Sequence, residues 1–350
     1  MVTKPISDLI PIWDTDHLAS TEPPLATAPY FDTNLNSWVL SRYSDVAAAL
    51  SSPNFAVVGL KRDRKHTSED EITRLKMRAE TQAALSTEKL RLWEKETRQA
   101  AKDRAFGLAT DRPVDLLEEY AAPVCLTLAV LATSANPHDA QHLSKLAEVV
   151  SASAAEPFDA EYKAKAKLAN AELRPCFHSG PEPLRDSGFV ALSHTIVHLL
   201  GNMWFSLLQY PQQWQRLHHE PALVPRAVEE LLRYAGFPRV LFRRAEVDTT
   251  LGNVQINAGD HIVLRIIAAN RDPLRFANSN ELDVTRRDVT QLMLGAGMHA
   301  CVGAPLIRLA AVATTLSLVE RFEGVELAET VKWRGGSGFV SLSALWVNLQ

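Results

Sequence analysis

The sequence predicts a mainly α-helical protein with a smaller β-rich portion, and three stretches carry this prediction. Residues 70–106 are rich in lysine, arginine, glutamate, alanine and leucine and contain no glycine or proline, which favours one or two long helices. Residues 189–208 form the longest apolar run, and its interruption by histidine, serine and asparagine is typical of a buried core helix. Beyond Gly236, clusters of valine, isoleucine and threonine alternate with turn signals, which indicates short strands.

The N-terminal elements are predicted from local signals. Residues 38–40 have the size and composition of a short strand, and Ser44-Asp45 then predicts the cap of a helix that runs to about Leu50. A further helix is predicted over 116–132. We expect a bend at its internal Pro123, because proline lacks the amide hydrogen that a helix interior requires.

Residues 138–176 continue in helical composition, and the glycine and prolines at 179–183 mark a loop before the long apolar helix, which is predicted to end near Tyr210. The remaining predicted elements are turns at 251–253 and 257–260, a glycine-rich loop at 295–303, a helix from about Ala304 to Arg321, and strands at 339–342 and 344–349.

Length and composition fit one soluble domain. The 350 residues are 46% hydrophobic and 22% charged, and no linker divides them, so we predict a single domain over residues 1–350. The net charge is −4 with basic and acidic residues interspersed, which argues against nucleic-acid binding. The N-terminus lacks the apolar core of a signal peptide or membrane anchor, and three widely spaced cysteines fit no disulfide framework. We therefore expect a cytoplasmic protein that does not bind a membrane.

Segment 292–312 holds the most informative pattern, a glycine-rich turn with a lone cysteine followed by an amphipathic helix. A thiolate needs positive potential, and a helix that starts just after Cys301 directs unpaired backbone N–H groups towards its sulfur. Gly297 and Gly303 allow a tight turn and a close approach of the backbone to a bound group. An isolated cysteine is also compatible with a small buried apolar residue. The loop around Cys301 favours a thiolate ligand.

The pattern Leu294-x-x-Gly297-x-His299-x-Cys301-x-Gly303 resembles the haem-binding signature of soluble bacterial cytochromes P450, which normally begins with an aromatic residue instead of Leu294. The resemblance implies the cytochrome P450 fold, haem b (iron protoporphyrin IX) as cofactor and Cys301 as the iron ligand. It also implies that His299 donates to a haem propionate and that Leu294 packs beside the thiolate. The similarity begins near residue 38 and is dense over 229–310, whereas 139–182 is short for the family's substrate lid.

Further positions follow from the same resemblance. Glu230 and Arg233, which are otherwise compatible with a solvated surface pair, match the family's Glu-x-x-Arg motif and its structural role beneath the haem. Arg243 stands where the family places a propionate-binding arginine, with a surface arginine as the alternative. Ile72 and Lys76 stand where a histidine and an arginine usually bind the propionates, and only Lys76 keeps a charge.

The long apolar helix contains the residues that the resemblance places over the iron. Thr195 is retained as a group that can hydrogen-bond dioxygen, whereas His194 replaces the family's acid and Leu192 replaces its glycine. His194 can relay protons because its ordinary pKa lies close to neutral pH. The alternatives are a core histidine with satisfied hydrogen bonds, and a threonine that bonds its own helix backbone.

The leading functional hypothesis is a monooxygenase that oxidises a small or medium organic substrate with dioxygen, using electrons from a separate ferredoxin or flavodoxin-type donor. A second hypothesis is a peroxide-dependent or non-oxidative haem-thiolate enzyme, because Leu192 and His194 alter the distal pattern. A third is a degenerate P450-like scaffold that binds a partner protein, although the Cys301 loop argues against complete loss of haem.

Overall fold

The computed structural model describes residues 28–57, 68–156, 159–178, 184–334 and 338–350. Most of these residues lie in helices, and short strands make up a smaller portion, which confirms the predicted fold class. The loop predicted at 179–183 lies outside the described residues.

The described part of the N-terminal half contains four short strands and six α-helices. The strands are Tyr30–Asp32 (β1), Ser37–Leu40 (β2), Phe55–Val57 (β3) and Val114–Asp115 (β4). The helices are Tyr43–Ser51 (α1), Ser68–Ala84 (α2), Thr87–Phe106 (α3), Ala122–Thr133 (α4), Ala140–Ala155 (α5) and Ala160–Leu173 (α6). The predicted helical stretch 70–106 is thus two helices, and Ser86 caps the second by accepting a hydrogen bond from the Lys89 backbone N–H.

The C-terminal half contains the remaining helices and strands. The helices are Asp186–Val190 (α7), Ile196–Leu208 (α8), Pro211–His219 (α9), Val224–Tyr234 (α10), Ile266–Asn270 (α11) and Ala304–Arg321 (α12). The strands are Val240–Ala245 (β5), Thr249–Leu251 (β6), Val254–Ile256 (β7), His261–Arg265 (β8), Val325–Leu327 (β9), Trp333–Arg334 (β10), Ser341–Leu342 (β11) and Trp346–Leu349 (β12).

Among the described residues, the largest sheet has five strands in the order β1-β2-β8-β5-β3. Strand β5 is antiparallel to both of its neighbours, and its Arg243 pairs with Ile262 in β8 and with Val57 in β3. Arg243 is therefore held on an interior strand. The turn predicted at 251–253 joins β6 to β7 in a tight hairpin, where Gly252 adopts a φ of +56°.

The predicted core helix of residues 189–208 is present as α7, a π-helical turn at Ala191–Thr195 and α8. Nearly all side chains of α8 are buried, because the segment is apolar on every face. Within the described part of the chain, one helical stretch, Leu116–Thr133, has the length and hydropathy of a membrane span. It is 56% buried inside the fold, as is usual for a core helix of a soluble protein.

Two local predictions differ from the structure. Helix α1 begins at Tyr43, and neither Ser44 nor Asp45 caps it; both lie in its first turn. The bend predicted at Pro123 takes the form of a π-helical turn at Leu116–Ala121. Pro123 is the second residue of α4, and the stretch Leu116–Thr133 continues as one helix through it.

Candidate functional site

Backbone hydrogen bonds close the loop that precedes α12. The Cys301 N–H donates to the Leu294 carbonyl at 2.6 Å, and the Ala300 N–H donates to the Gly297 carbonyl at 3.2 Å. Gly297 has a φ of +64°, and a Cβ added to it would lie 2.7 Å from Ser51 Cα at the end of α1. This close approach of two backbone segments requires glycine.

The Cys301 side chain is exposed at the start of α12. Desolvation by the surrounding loop raises the pKa of its thiol above the ordinary value, whereas the Gly303 N–H and the charges of Arg78 and Arg308 lower that pKa. Without a bound cation the sulfur therefore keeps its proton at neutral pH. A metal ion would remove that proton, in a setting where N–H groups and two guanidinium groups already favour the anion.

Arg78 of α2 reaches this loop, and its Nη1 donates to the Ala300 carbonyl. Lys76 and Ile72 are exposed. Side chains two residues apart on a helix point in directions that differ by about 200°. Lys76 therefore faces away from the side on which Arg78 lies. The sequence pattern predicted Lys76 and gave no signal for Arg78, because the two side chains carry the same charge and only the packing of α2 distinguishes them. The role of Lys76 stays a prediction.

Arg243 is a buried cation with incomplete hydrogen bonding. The residue is 4% exposed, and its Nη1 donates to the neighbouring Phe242 carbonyl at 2.9 Å. Its Nε has no hydrogen-bond partner in the part of the chain that the structure describes. Burial lowers the pKa of Arg243 to about 10, which still leaves it charged at neutral pH. A buried guanidinium of this kind requires an acceptor that these protein atoms do not supply.

Glu230 and Arg233 form a fully buried ion pair within α10. Arg233 Nε and Nη2 each donate to one carboxylate oxygen of Glu230 at 2.7 Å, and Arg286 Nε donates to the same carboxylate at 3.1 Å. Arg233 also donates to the Asn270 carbonyl, and the Asn270 side chain accepts from the Leu292 N–H. The ion pair thereby connects α10 to the first residue of segment 292–312. The sequence analysis did not identify Arg286.

His194 and Thr195 lie in the π-helical turn and contact α5. His194 Nε2 lies 2.7 Å from the Ser144 carbonyl, so Nε2 carries the hydrogen, because a carbonyl can only accept. Thr195 Oγ1 lies 3.4 Å from Ser151 Oγ. Burial lowers the pKa of His194, against the opposing effects of the Ser144 hydrogen bond and of Glu148. The two side chains tie the continuous helix of residues 186–208, hereafter the distal helix, to α5. Their catalytic role stays a prediction.

A cavity of about 440 Å³ adjoins this turn. Its walls come from α5, α6, the distal helix and Phe237, and from Arg334, Phe339 and Ser341 near β10 and β11. The rings of Phe237 and Phe339 stack with their centroids 4.9 Å apart. Besides His194 and Thr195, the polar lining includes Ser151 and His198, together with the charged side chains of Glu148, Glu156 and Arg334. The sequence analysis did not single out His198, although its spacing of four from His194 on one helix indicates a shared face.

Comparison with known proteins shows which proteins this chain resembles. The family model described as cytochrome P450 matches residues 194–334. Cytochrome P450 CYP107DY1 of Priestia megaterium is 39% identical over 134 residues, which are 38% of this chain and 33% of that protein. Cytochrome P450 105C1 of a Streptomyces species is 28% identical over 327 residues, which are 83% of this chain and 82% of that protein.

Solved structures show the same fold. Cytochrome P450 CYP109B1 of Bacillus subtilis superposes with a TM-score of 0.79 at 21% identity, over 92% of this chain and 95% of the other. Among curated relatives, in contrast, the chain spans only about a third of the length of CYP107DY1. The strong sequence similarity is thus concentrated in the C-terminal half, where the Glu230–Arg233 pair and the Cys301 loop lie.

Members of this family bind haem b, and the residues near Cys301 fit that cofactor. The thiol is exposed, and the charges of Arg78 and Arg308 act on it. Arg243 presents a buried Nε whose acceptor is missing among the described residues, and a haem propionate has the charge and the planar oxygens to supply one. His299 is half-buried in the short 3-10 turn Gly297–His299 of the same loop.

Proposed function

The chain belongs to the cytochrome P450 family, and we propose that it is a haem-thiolate oxidoreductase in which Cys301 ligates the haem iron. The observation that carries the proposal is the Cys301 loop. Its thiol is exposed at the N-terminus of an 18-residue helix, and the loop is closed by the Cys301–Leu294 hydrogen bond. Backbone N–H groups at that end of the helix favour a negatively charged sulfur.

Each residue of the site has a separate task in this proposal. When bound, haem supplies the redox chemistry with oxygen. Cys301 holds the iron, and Gly303 keeps the side of the loop next to the sulfur free of a side chain. Arg243 and His299 hold the propionates, with Lys76 as a weaker cationic group. The Glu230–Arg233 pair holds the segment that leads into the loop in place, through Asn270.

The reaction is a monooxygenation of a small or medium organic substrate in this proposal. The cavity beside His194 and Thr195 holds the substrate, because it adjoins the distal helix and has the volume of a small organic molecule. Electrons come from a separate ferredoxin or flavodoxin-type protein, and the enzyme works in the cytoplasm. Several matched relatives are bacterial proteins named as cytochromes P450, which supports this general class of chemistry.

The reduced carbon monoxide difference spectrum tests the proposed ligand directly, because it reports whether a thiolate holds the iron. We expect the thiolate spectrum from the purified protein and its loss in Cys301→Ala. Cys176→Ala, which removes the half-buried cysteine of another segment, should keep the spectrum. A thiolate spectrum in Cys301→Ala would contradict the assignment, and a purified protein that binds no haem would favour a non-catalytic scaffold instead.

A second candidate is a peroxide-dependent or non-oxidative haem-thiolate enzyme. It is favoured because His194 and Thr195 hydrogen-bond to Ser144 and Ser151 of α5. These contacts give both side chains a role in joining two helices that needs no proton relay. If the two residues relay protons, His194→Ala and Thr195→Ala should slow turnover about 100-fold or more. Both variants should also release a larger share of the electrons as peroxide, with haem content unchanged. Full turnover and coupling in both variants would show that this relay is absent. Product formation without dioxygen and an electron donor would favour the second candidate.

A further inference from the structure

The cavity beside the distal helix has charges of opposite sign near neighbouring histidines. His194 and His198 are four residues apart, so they lie on the same side of the helix about 6 Å apart along its axis. Glu148 is close enough to His194 to raise its pKa, and Arg334 is close enough to His198 to lower its pKa. The cavity therefore has a negative group near one histidine and a positive group near the other.

The two carboxylates of the cavity differ in their availability. Glu148 is exposed in α5, and no ion pair joins it to Arg334 within the described ranges. Glu156 also lines the cavity, but its side chain already has an interaction of its own. Arg334 is exposed at the end of β10. Both Glu148 and Arg334 line the cavity with exposed side chains, so each can receive an oppositely charged group of a ligand.

The histidines add neutral hydrogen-bonding capacity between these charges. Burial, Arg334 and His194 together lower the pKa of His198 to about 4, so its ring is neutral at physiological pH. Its Nδ1 is buried and has no hydrogen-bond partner among the residues whose placement is described. A wholly apolar ligand would leave this nitrogen unsatisfied, and it would desolvate charged side chains without compensation.

We propose that this cavity, as the substrate site of the function proposed above, binds a zwitterionic amino-acid or short-peptide substrate. Its ammonium group lies against Glu148 and its carboxylate against Arg334. An amide or hydroxyl group between the two charged ends bonds to His198. The stacked rings of Phe237 and Phe339 pack against an apolar side chain of the ligand.

Isothermal titration calorimetry on the haem-loaded protein tests the charges one at a time. The probes are the dipeptide leucylphenylalanine, its N-acetyl derivative, which lacks the ammonium, and its C-terminal amide, which lacks the carboxylate. Each charged hydrogen bond is worth about 1.5–3 kcal/mol, so the free dipeptide should bind at least about ten-fold more tightly than either capped form.

Two variants assign each charge to a side chain. Glu148→Gln should lower the affinity for the free dipeptide and for the C-terminal amide about ten-fold. It should leave the affinity for the N-acetyl form unchanged, because that form has no ammonium group. Arg334→Gln should lower the affinity for the free dipeptide and for the N-acetyl form. It should leave the affinity for the C-terminal amide unchanged, because that form has no carboxylate. Glu161→Gln and Lys332→Gln serve as controls, because both residues are exposed and lie outside the walls of the cavity.

Equal affinity for the three probes, no binding of the free dipeptide, or variants that do not discriminate between the capped forms would each overturn this proposal. The reduced carbon monoxide spectrum of the same samples separates this failure from that of the proposed function. A thiolate spectrum without selective dipeptide binding overturns only the substrate class. Loss of the thiolate spectrum in the unmodified protein overturns the haem-thiolate function itself.

Discussion

Replacing Gly297 by alanine perturbs the contact between the Cys301 loop and the end of α1. Gly297 has a φ of +64°, and this left-handed conformation costs about 1–2 kcal/mol in a residue with a Cβ. The new Cβ would lie 2.7 Å from Ser51 Cα and 3.2 Å from the Leu50 carbonyl oxygen. Both neighbours are backbone atoms, so they cannot rotate away, and overpacking of this kind costs about 1–3 kcal/mol. We expect the free energy of unfolding to fall by about 2–5 kcal/mol.

Urea unfolding followed by far-ultraviolet circular dichroism measures this change, and haem content per chain measures the effect on the loop. Gly303→Ala, in the same loop, is the matched control for the unfolding measurement only, because Gly303 itself lies beside the thiol. Its φ is negative, and the nearest atom to its added Cβ is Cys301 Sγ at 3.8 Å, an ordinary contact. Its main loss is a helix cap, which is worth about 1 kcal/mol or less. If Gly297→Ala destabilised the protein no more than Gly303→Ala, the close approach to α1 would be refuted.

Three further predictions concern buried charged and polar groups. Arg243→Ala should lower haem retention during gel filtration more than Lys76→Ala, because a fork-shaped guanidinium can form two bonds with a propionate; equal retention would remove the basis for assigning Arg243. Glu230→Gln should lower the free energy of unfolding by about 3 kcal/mol or more in urea titration, because two guanidinium groups lose their carboxylate, and a loss within experimental scatter would contradict this. Because the pKa of His198 is lowered to about 4 from its ordinary 6.5, the unfolded chain binds more protons between these values, so stability should fall as pH drops from 6.5 to 4. His198→Asn should flatten that part of the stability profile, and an unchanged slope would show that His198 does not contribute.

Local features were predictable because they depend on neighbours in the chain. The helix predicted from about Ala304 to Arg321 has those bounds, and the two long helices over 70–106 form where glycine and proline are absent. The glycine-rich loop, the lone Cys301 and the Glu230–Arg233 spacing are likewise properties of short segments. The resemblance to the cytochrome P450 family rested on such segments, and the comparisons confirm it. The single-domain prediction and the site assignments stay predictions.

Tertiary packing decided which side chains meet. Arg78 and Lys76 are equivalent in charge and two residues apart, yet only Arg78 reaches the Cys301 loop, because helical geometry turns the two to opposite sides. Arg286 joins Glu230 across 56 residues, and His194 finds its acceptor on Ser144, 50 residues away. Sequence spacing specifies the direction of a side chain only relative to its own helix or strand. Which helix or strand faces that side chain depends on how all helices and strands pack together in the core. The partners of the buried charges therefore became visible only in the folded structure.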